Sequence, residues 1–188
     1  MQFIEFYNHV LKVEISSYDE LPYPVQKVEF KKGEIITTYG QIEGFVYFLN
    51  SGIAEMSIKS YVSEKMIDFF FENQMFAALT SFLRQQPSDV EIVALTDCFA
   101  ERIAYGDLMK SYNTSLQANQ LARIITEGAY LDKAKREKDF LAKTAEERYQ
   151  DMFKTHSQYI SHIPVNKIAK YLGIHPESLS RIRKKMNS

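Results

Sequence analysis

The sequence predicts an α+β chain in which a β-rich front end is followed by a long helix and a compact pair of C-terminal helices. Three observations carry this. Residues 28–103 alternate β-prone runs with turn glycines at Gly33, Gly40 and Gly52. From Tyr105 through Lys143 glycine and proline nearly vanish while Ala, Leu, Lys, Glu and Gln abound. Beyond Pro164, apolar residues recur at helical spacing on either side of Gly173.

Taken in order, the chain opens MQFIEFYNHVLK, which lacks the basic-then-apolar layout of a signal peptide. No run approaches the ~20 apolar residues of a membrane helix, so the expectation is a cytoplasmic protein with no membrane partner. The runs VEF, IITTYG, GFVYFLNSG, IAEMSIKS, KMIDFFFEN and DVEIVALTDCFAERIA then read as short strands, with Asn73 and Asp97 as breaks. Ala77 to Arg84 reads as a short helical piece between them. Strands at roughly ten-residue spacing indicate an antiparallel barrel or roll.

Within the helical stretch, Leu121, Ile124, Gly128 and Leu131 fall three and four residues apart. They form either a two-helix seam or a stripe packed on its own domain. Helix length favours the seam, because a lone helix this long leaves apolar surface wet. Thr144 and Glu147 have the Thr-x-x-Glu spacing of a capping box, which starts a new helix running to about Thr155.

Charge narrows the function. The net charge is -1, but from Ser161 onward six cations face the single Glu177. That strongly basic tail is paired with an acidic remainder. The lone Cys98 supplies neither a disulfide nor a cysteine-rich metal site and reads as a small buried hydrophobe. His9, His156, His162 and His175 show no metal-ligand spacing. Neither a phosphate-cradling glycine loop nor a Gly-x-Ser-x-Gly elbow is present, so no enzyme, cofactor or metal centre is expected.

The segment VNKIAKYLGIHPESLSRIRKKM has the mechanics of a helix-turn-helix. Ile168 and Leu172 face inward from the first helix, and Ala169 is small where the second crosses. Gly173 permits the left-handed turn, Ile174 plugs it, Pro176 opens the second helix, and Leu179 and Ile182 anchor it. Glu177, Ser178, Arg181, Lys184 and Lys185 are left on or near the outward face. Glutamate, serine and arginine are suited to base edges, whereas Arg183, Lys184, Lys185, Lys167 and Lys170 are suited to phosphates. A basic surface hairpin without DNA contact is the alternative.

This motif, the preceding TAEERYQDMFKTH helix and the β-rich front together resemble the Crp/Fnr family of bacterial regulators. The likeness is most specific at residues 144–185, with a match to the family's β-roll at Phe30 to Ile58. It implies a cyclic-nucleotide-binding-like double-stranded β-roll (a jelly roll) in residues 1–107, a long dimerisation helix and hinge in 108–141, and an all-α DNA-binding domain in 142–188. It also implies a homodimer on a pseudo-palindromic site in double-stranded DNA, with Glu177, Ser178 and Arg181 where the family reads bases, and RNA polymerase as a candidate partner.

Two departures qualify the resemblance. Nucleotide-binding members carry Phe-Gly-Glu followed by Arg-Ser or Arg-Thr. Here Phe76, Ala77, Ala78 and Leu79, then Gln86 and Ser88, occupy those stretches, and Arg84 is out of place. A buried phosphate without a cation is costly, so cyclic nucleotide is not the expected effector and any small molecule in that pocket is unknown. The chain also ends soon after the recognition helix, so an incomplete wing is expected. The leading expectation is a sequence-specific transcription regulator; the alternative is a ligand-sensing or protein-interaction module that keeps the fold without binding DNA.

Overall fold

The computed structural model describes residues 1–59 and 64–186. Ser60, the last residue of the IAEMSIKS run, and the terminal Asn187 and Ser188, on which the wing expectation bears, lie outside the described residues. Eight strands form the front end: β1 Gln26–Phe30, β2 Ile35–Thr37, β3 Phe45–Ser51, β4 Ala54–Lys59, β5 Glu64–Phe70, β6 Met75–Phe76, β7 Val90–Ala94 and β8 Cys98–Ala104. They pair antiparallel in two four-stranded sheets, ordered β1-β8-β3-β6 and β2-β7-β4-β5. Between them Phe30, Tyr47, Leu49, Ala54, Phe76, Ile92, Ala94 and Cys98 form a buried core. The residues pointing inward alternate with outward ones, as period-two strands require.

Seven α-helices and a short 3-10 turn at Tyr18–Glu20 complete the described chain: α1 Phe3–Leu11, α2 Leu79–Arg84, α3 Tyr105–Thr114, α4 Leu116–Ala142, α5 Ala145–Ile160, α6 Val165–Leu172 and α7 Pro176–Met186. Helix α1 is an element that the sequence reading did not anticipate. Phe3 and Tyr7 are fully buried, and the Phe3 ring meets Phe48 edge-on at 5.7 Å. Its N-terminus sits on a buried carboxylate: Glu101 accepts from the Phe3 amide at 2.7 Å, from Asn50 at 2.6 Å and from the Tyr18 hydroxyl. An acid removed from water is tolerated when it is hydrogen-bonded and lies at a helix N-terminus.

The sequence predicts one helix from Tyr105, and the structure breaks it at Ser115, whose φ of -132° and ψ of 118° are extended. The Ser115 hydroxyl accepts from the Ala118 amide at 3.2 Å and caps α4. The run Asn113-Thr114-Ser115, three side chains that compete for backbone hydrogen bonds, was the available signal. The capping box at Thr144 is present: the Thr144 amide donates to Glu147 at 2.8 Å and the Glu147 amide to the Thr144 hydroxyl at 3.3 Å. Helix α5 then continues past the expected end at Thr155 to Ile160, through a non-helical His156 with φ -133° and ψ 28°.

Candidate nucleic-acid interface

The C-terminal helices are built around a few apolar positions. Ile168, Ala169, Leu172 and Leu179 are fully buried, joined by Tyr149, Met152, Ile160 and Ile163. Gly173 ends α6 at φ 71°, and the Ile174 amide reaches back to the Ala169 carbonyl at 3.0 Å. This left-handed cap is what allows α7 to leave at a sharp angle.

Arg148 of α5 locks the turn. Its two terminal nitrogens donate to the Lys143 carbonyl at 2.6 Å and the Leu172 carbonyl at 2.9 Å. Its guanidinium lies 4.3 Å from the Phe140 ring centre. A β-carbon at Gly173 would stand 3.4 Å from that same ring. The end of α4, the start of α5 and the turn between α6 and α7 therefore meet on Phe140 and Arg148. Neither residue was singled out in the sequence, because one Arg among many carries no mark of three-way contact.

On α7, Glu177, Arg181, Lys184 and Lys185 are exposed and Ser178 is half-buried. At 100° per residue these five share one side of the helix, and Arg183 lies off it, also half-buried. Lys185 reaches Glu146 at 2.9 Å. The two cations of α6 behave differently from expectation. Instead of pointing to open solvent, Lys167 is paired with Glu55 of β4, and Lys170 with Glu64 of β5 at 3.4 Å. Helix α6 lies against the roll, and Tyr171 packs 5.3 Å from Phe69, with Arg136 of α4 4.2 Å from its ring. Burial pushes the Tyr171 hydroxyl up to about 12 and lifts the nearby Asp68 carboxyl above its ordinary value, opposed there by Arg136. His156 stacks on Phe71 at 4.4 Å, and burial lowers its pKa.

The six residues expected to line an effector pocket differ in exposure and in what they touch. Phe76 is inside the roll, stacked at 5.1 Å on both Tyr47 and Phe70. Ala77 and Ala78 are buried, whereas Leu79 and Gln86 are exposed. Ser88 is buried but spends its hydroxyl locally, donating to the Val90 carbonyl at 2.8 Å and accepting from its amide at 3.2 Å. A polar group missed in the sequence lies beside them. Glu43 is buried, bonded to the Thr37 hydroxyl and the Phe45 amide, while its backbone is tied to Ser81 and Gln85 around α2. Cavities of about 320 and 470 Å³ lie elsewhere, one beside Asn50 and Glu101 and the other between Gly52 and the Tyr159–His162 end of α5.

The stripe on α4 divides. Leu121 is buried with Phe3, Tyr7 and Ala118 of its own chain, which corrects its place in a two-helix seam. Ile124, Gly128 and Leu131 are exposed, as are Tyr130 and Leu141. Among the described residues no cluster of acidic, histidine or cysteine side chains could hold a metal, and no helix is long and apolar enough to cross a membrane.

Residues 27–115 match the cyclic nucleotide-binding domain family. The fold is that of the Crp/Fnr transcription regulators. FixK2 from Bradyrhizobium japonicum superposes with a TM-score of 0.76 at 17% identity, over 87% of this chain and 85% of that one. The c-di-GMP responsive global regulator CLP of Xanthomonas campestris gives 0.68 at 17% identity, over 87% and 86%. The catabolite activator protein of Thermus thermophilus gives 0.52 at 18% identity, over 97% and 83%. No curated protein matches the chain in sequence.

Proposed function

We propose that this chain is a sequence-specific, DNA-binding transcription regulator that acts as a homodimer on a pseudo-palindromic site. The observation that carries it is the basic outward side of α7, where Glu177, Ser178, Arg181, Lys184 and Lys185 stand over a packed helix-turn-helix. Arg181 is suited to guanine in the major groove, with Glu177 and Ser178 beside it on base edges and Lys184 and Lys185 on phosphates. The exposed Ile124, Gly128 and Leu131 supply a second-copy contact for α4. Paired recognition helices would then sit about 34 Å apart, one turn of DNA. Residues 1–107 would serve as the sensor-like roll, 108–141 as dimer helix and hinge, and 142–188 as the DNA-binding part.

An aromatic-filled roll interior, with Gln86 and Ser88 in the stretch where nucleotide-binding members carry Arg-Ser or Arg-Thr, supports a regulator that does not use cyclic nucleotide as its effector. The test is rounds of selection from a random duplex pool, with Arg181→Ala alongside. Enrichment of a two-fold-symmetric site that the variant loses is the expected result. A pool that stays random at low salt refutes the DNA reading of the effector-free protein.

A further inference from the structure

Helix α6 is the first helix of the DNA-reading pair, yet the side that its lysines share is turned onto the roll. Ile168, Ala169 and Leu172 occupy the side packed against α5 and α7, and Lys167, Lys170 and Tyr171 lie opposite, at i, i+3 and i+4. Beneath them the outer face of the β4–β5 pair offers Glu55, Ser57, Glu64, Met66 and Phe69. Ser57 and Lys170 both hold Glu64, at 2.9 and 3.4 Å, and together they draw its carboxyl below the usual range, with the serine bond the larger effect.

Glu55 is the more telling of the two. Its side chain is only 8% exposed, one oxygen is bound by Lys167, and the other is buried with no protein partner. A carboxylate taken out of water in this way is retained at a cost, and its cation is what offsets that cost. The interface therefore joins an apolar patch to two carboxylates that hold the helix's two lysines.

From this geometry, and resting on the DNA reading above, we propose that Glu55 and Glu64 stand in for DNA phosphates. The roll occupies the phosphate-binding lysines of α6 in the unbound protein, so DNA must displace two carboxylates of the same chain before Lys167 and Lys170 can reach its backbone. The outward side of α7 is exposed, and Lys185 pairs with Glu146 of α5 rather than with the roll, so the roll weakens the backbone contacts and leaves base reading intact. Any ligand or partner that shifts the β4–β5 pair would change affinity by the same route, because an intramolecular competitor lowers apparent affinity by the fraction of molecules it holds.

The test compares E55Q/E64Q with E29Q/E34Q, a control that changes net charge equally at two exposed positions away from α6. Two readouts are taken on the full chain: hydrogen–deuterium exchange of residues 165–172, and anisotropy of a labelled mixed-sequence duplex at low salt. The expected result is faster exchange in α6 and roughly fivefold tighter binding for E55Q/E64Q, with the control near wild type. E64Q alone, at a half-exposed pair that does not threaten folding, should tighten binding by a smaller factor, about twofold. Equal tightening by the control overturns the competition, as does unchanged or weaker binding by E55Q/E64Q. If wild type and variants all bind but with equal affinity, only the competition fails. If none binds DNA, the DNA reading fails and takes the competition with it, while faster exchange would still report a real ionic clasp.

Discussion

Replacing Arg148 by methionine tests whether a single guanidinium fixes the helix-turn-helix onto the long helix. The side chain makes two charge-assisted hydrogen bonds, at 2.6 and 2.9 Å, to carbonyls that end α4 and α6. Each bond of this kind contributes about 1.5–3 kcal/mol. The contact with Phe140 at 4.3 Å adds roughly 1 kcal/mol. Against this stands the Nε, which is buried without a partner and costs about 1–3 kcal/mol. The difference leaves a loss of about 3 kcal/mol for Arg148→Met. Arg148→Lys should recover less than half of it, because one ammonium cannot span two carbonyls that a planar fork reaches together. Urea unfolding followed by circular dichroism measures the loss, and native-state hydrogen exchange locates it in α6 and the turn. If the methionine variant loses less than about 1 kcal/mol, or the lysine variant matches wild type, the fork does not hold the turn.

Three further predictions follow from particular contacts. Gly173→Ala places a side chain at φ 71° and 3.4 Å from Phe140. It should cost about 1–2 kcal/mol and lower Tm by roughly 3–6 °C in a thermal scan, and an unchanged Tm would argue against the left-handed cap as a constraint. Burial depresses the His156 pKa, so the folded chain binds that proton more weakly than the unfolded one. Its contribution to stability is therefore present above a pH of about 6.5 and is lost as pH falls through the folded value. His156→Phe keeps the stack on Phe71 and should flatten the fall of Tm on acidification; identical slopes in the two proteins would remove His156 as the cause. Leu131→Glu puts a charge in the exposed α4 stripe and should shift sedimentation from dimer to monomer, while wild type that already sediments as a monomer contradicts the seam.

Much of the architecture was legible because its signals are local. The capping box at Thr144 and Glu147, the left-handed Gly173 and the start of α7 at Pro176 depend on backbone geometry over four or five residues. The burial of Ile168, Ala169, Leu172 and Leu179 follows from periodicity. Strand positions in the roll were legible for the same reason, since turn glycines and alternation act within one hairpin. Helix α1 escaped because its Phe3 and Tyr7 find their meaning only against Phe48 and Glu101, far along the chain. The break at Ser115 escaped because a cap residue in a helix-rich stretch is outweighed by propensity.

The outward side of α7 is a matter of sequence: charge type and helical period place Glu177, Arg181 and Lys185 there with no reference to the rest of the fold. The fate of Lys167 is not. Nothing within its own helix distinguishes it from a phosphate-seeking lysine, and its carboxylate partner Glu55 is 112 residues away. Leu121 and Leu131 likewise belong to one apolar pattern, yet the first is buried by its own roll and the second is left to solvent. Periodicity selects which residues leave water together. Which surface receives them depends on how distant segments are brought side by side, and that was decided only when the two sheets and the C-terminal helices packed on one another.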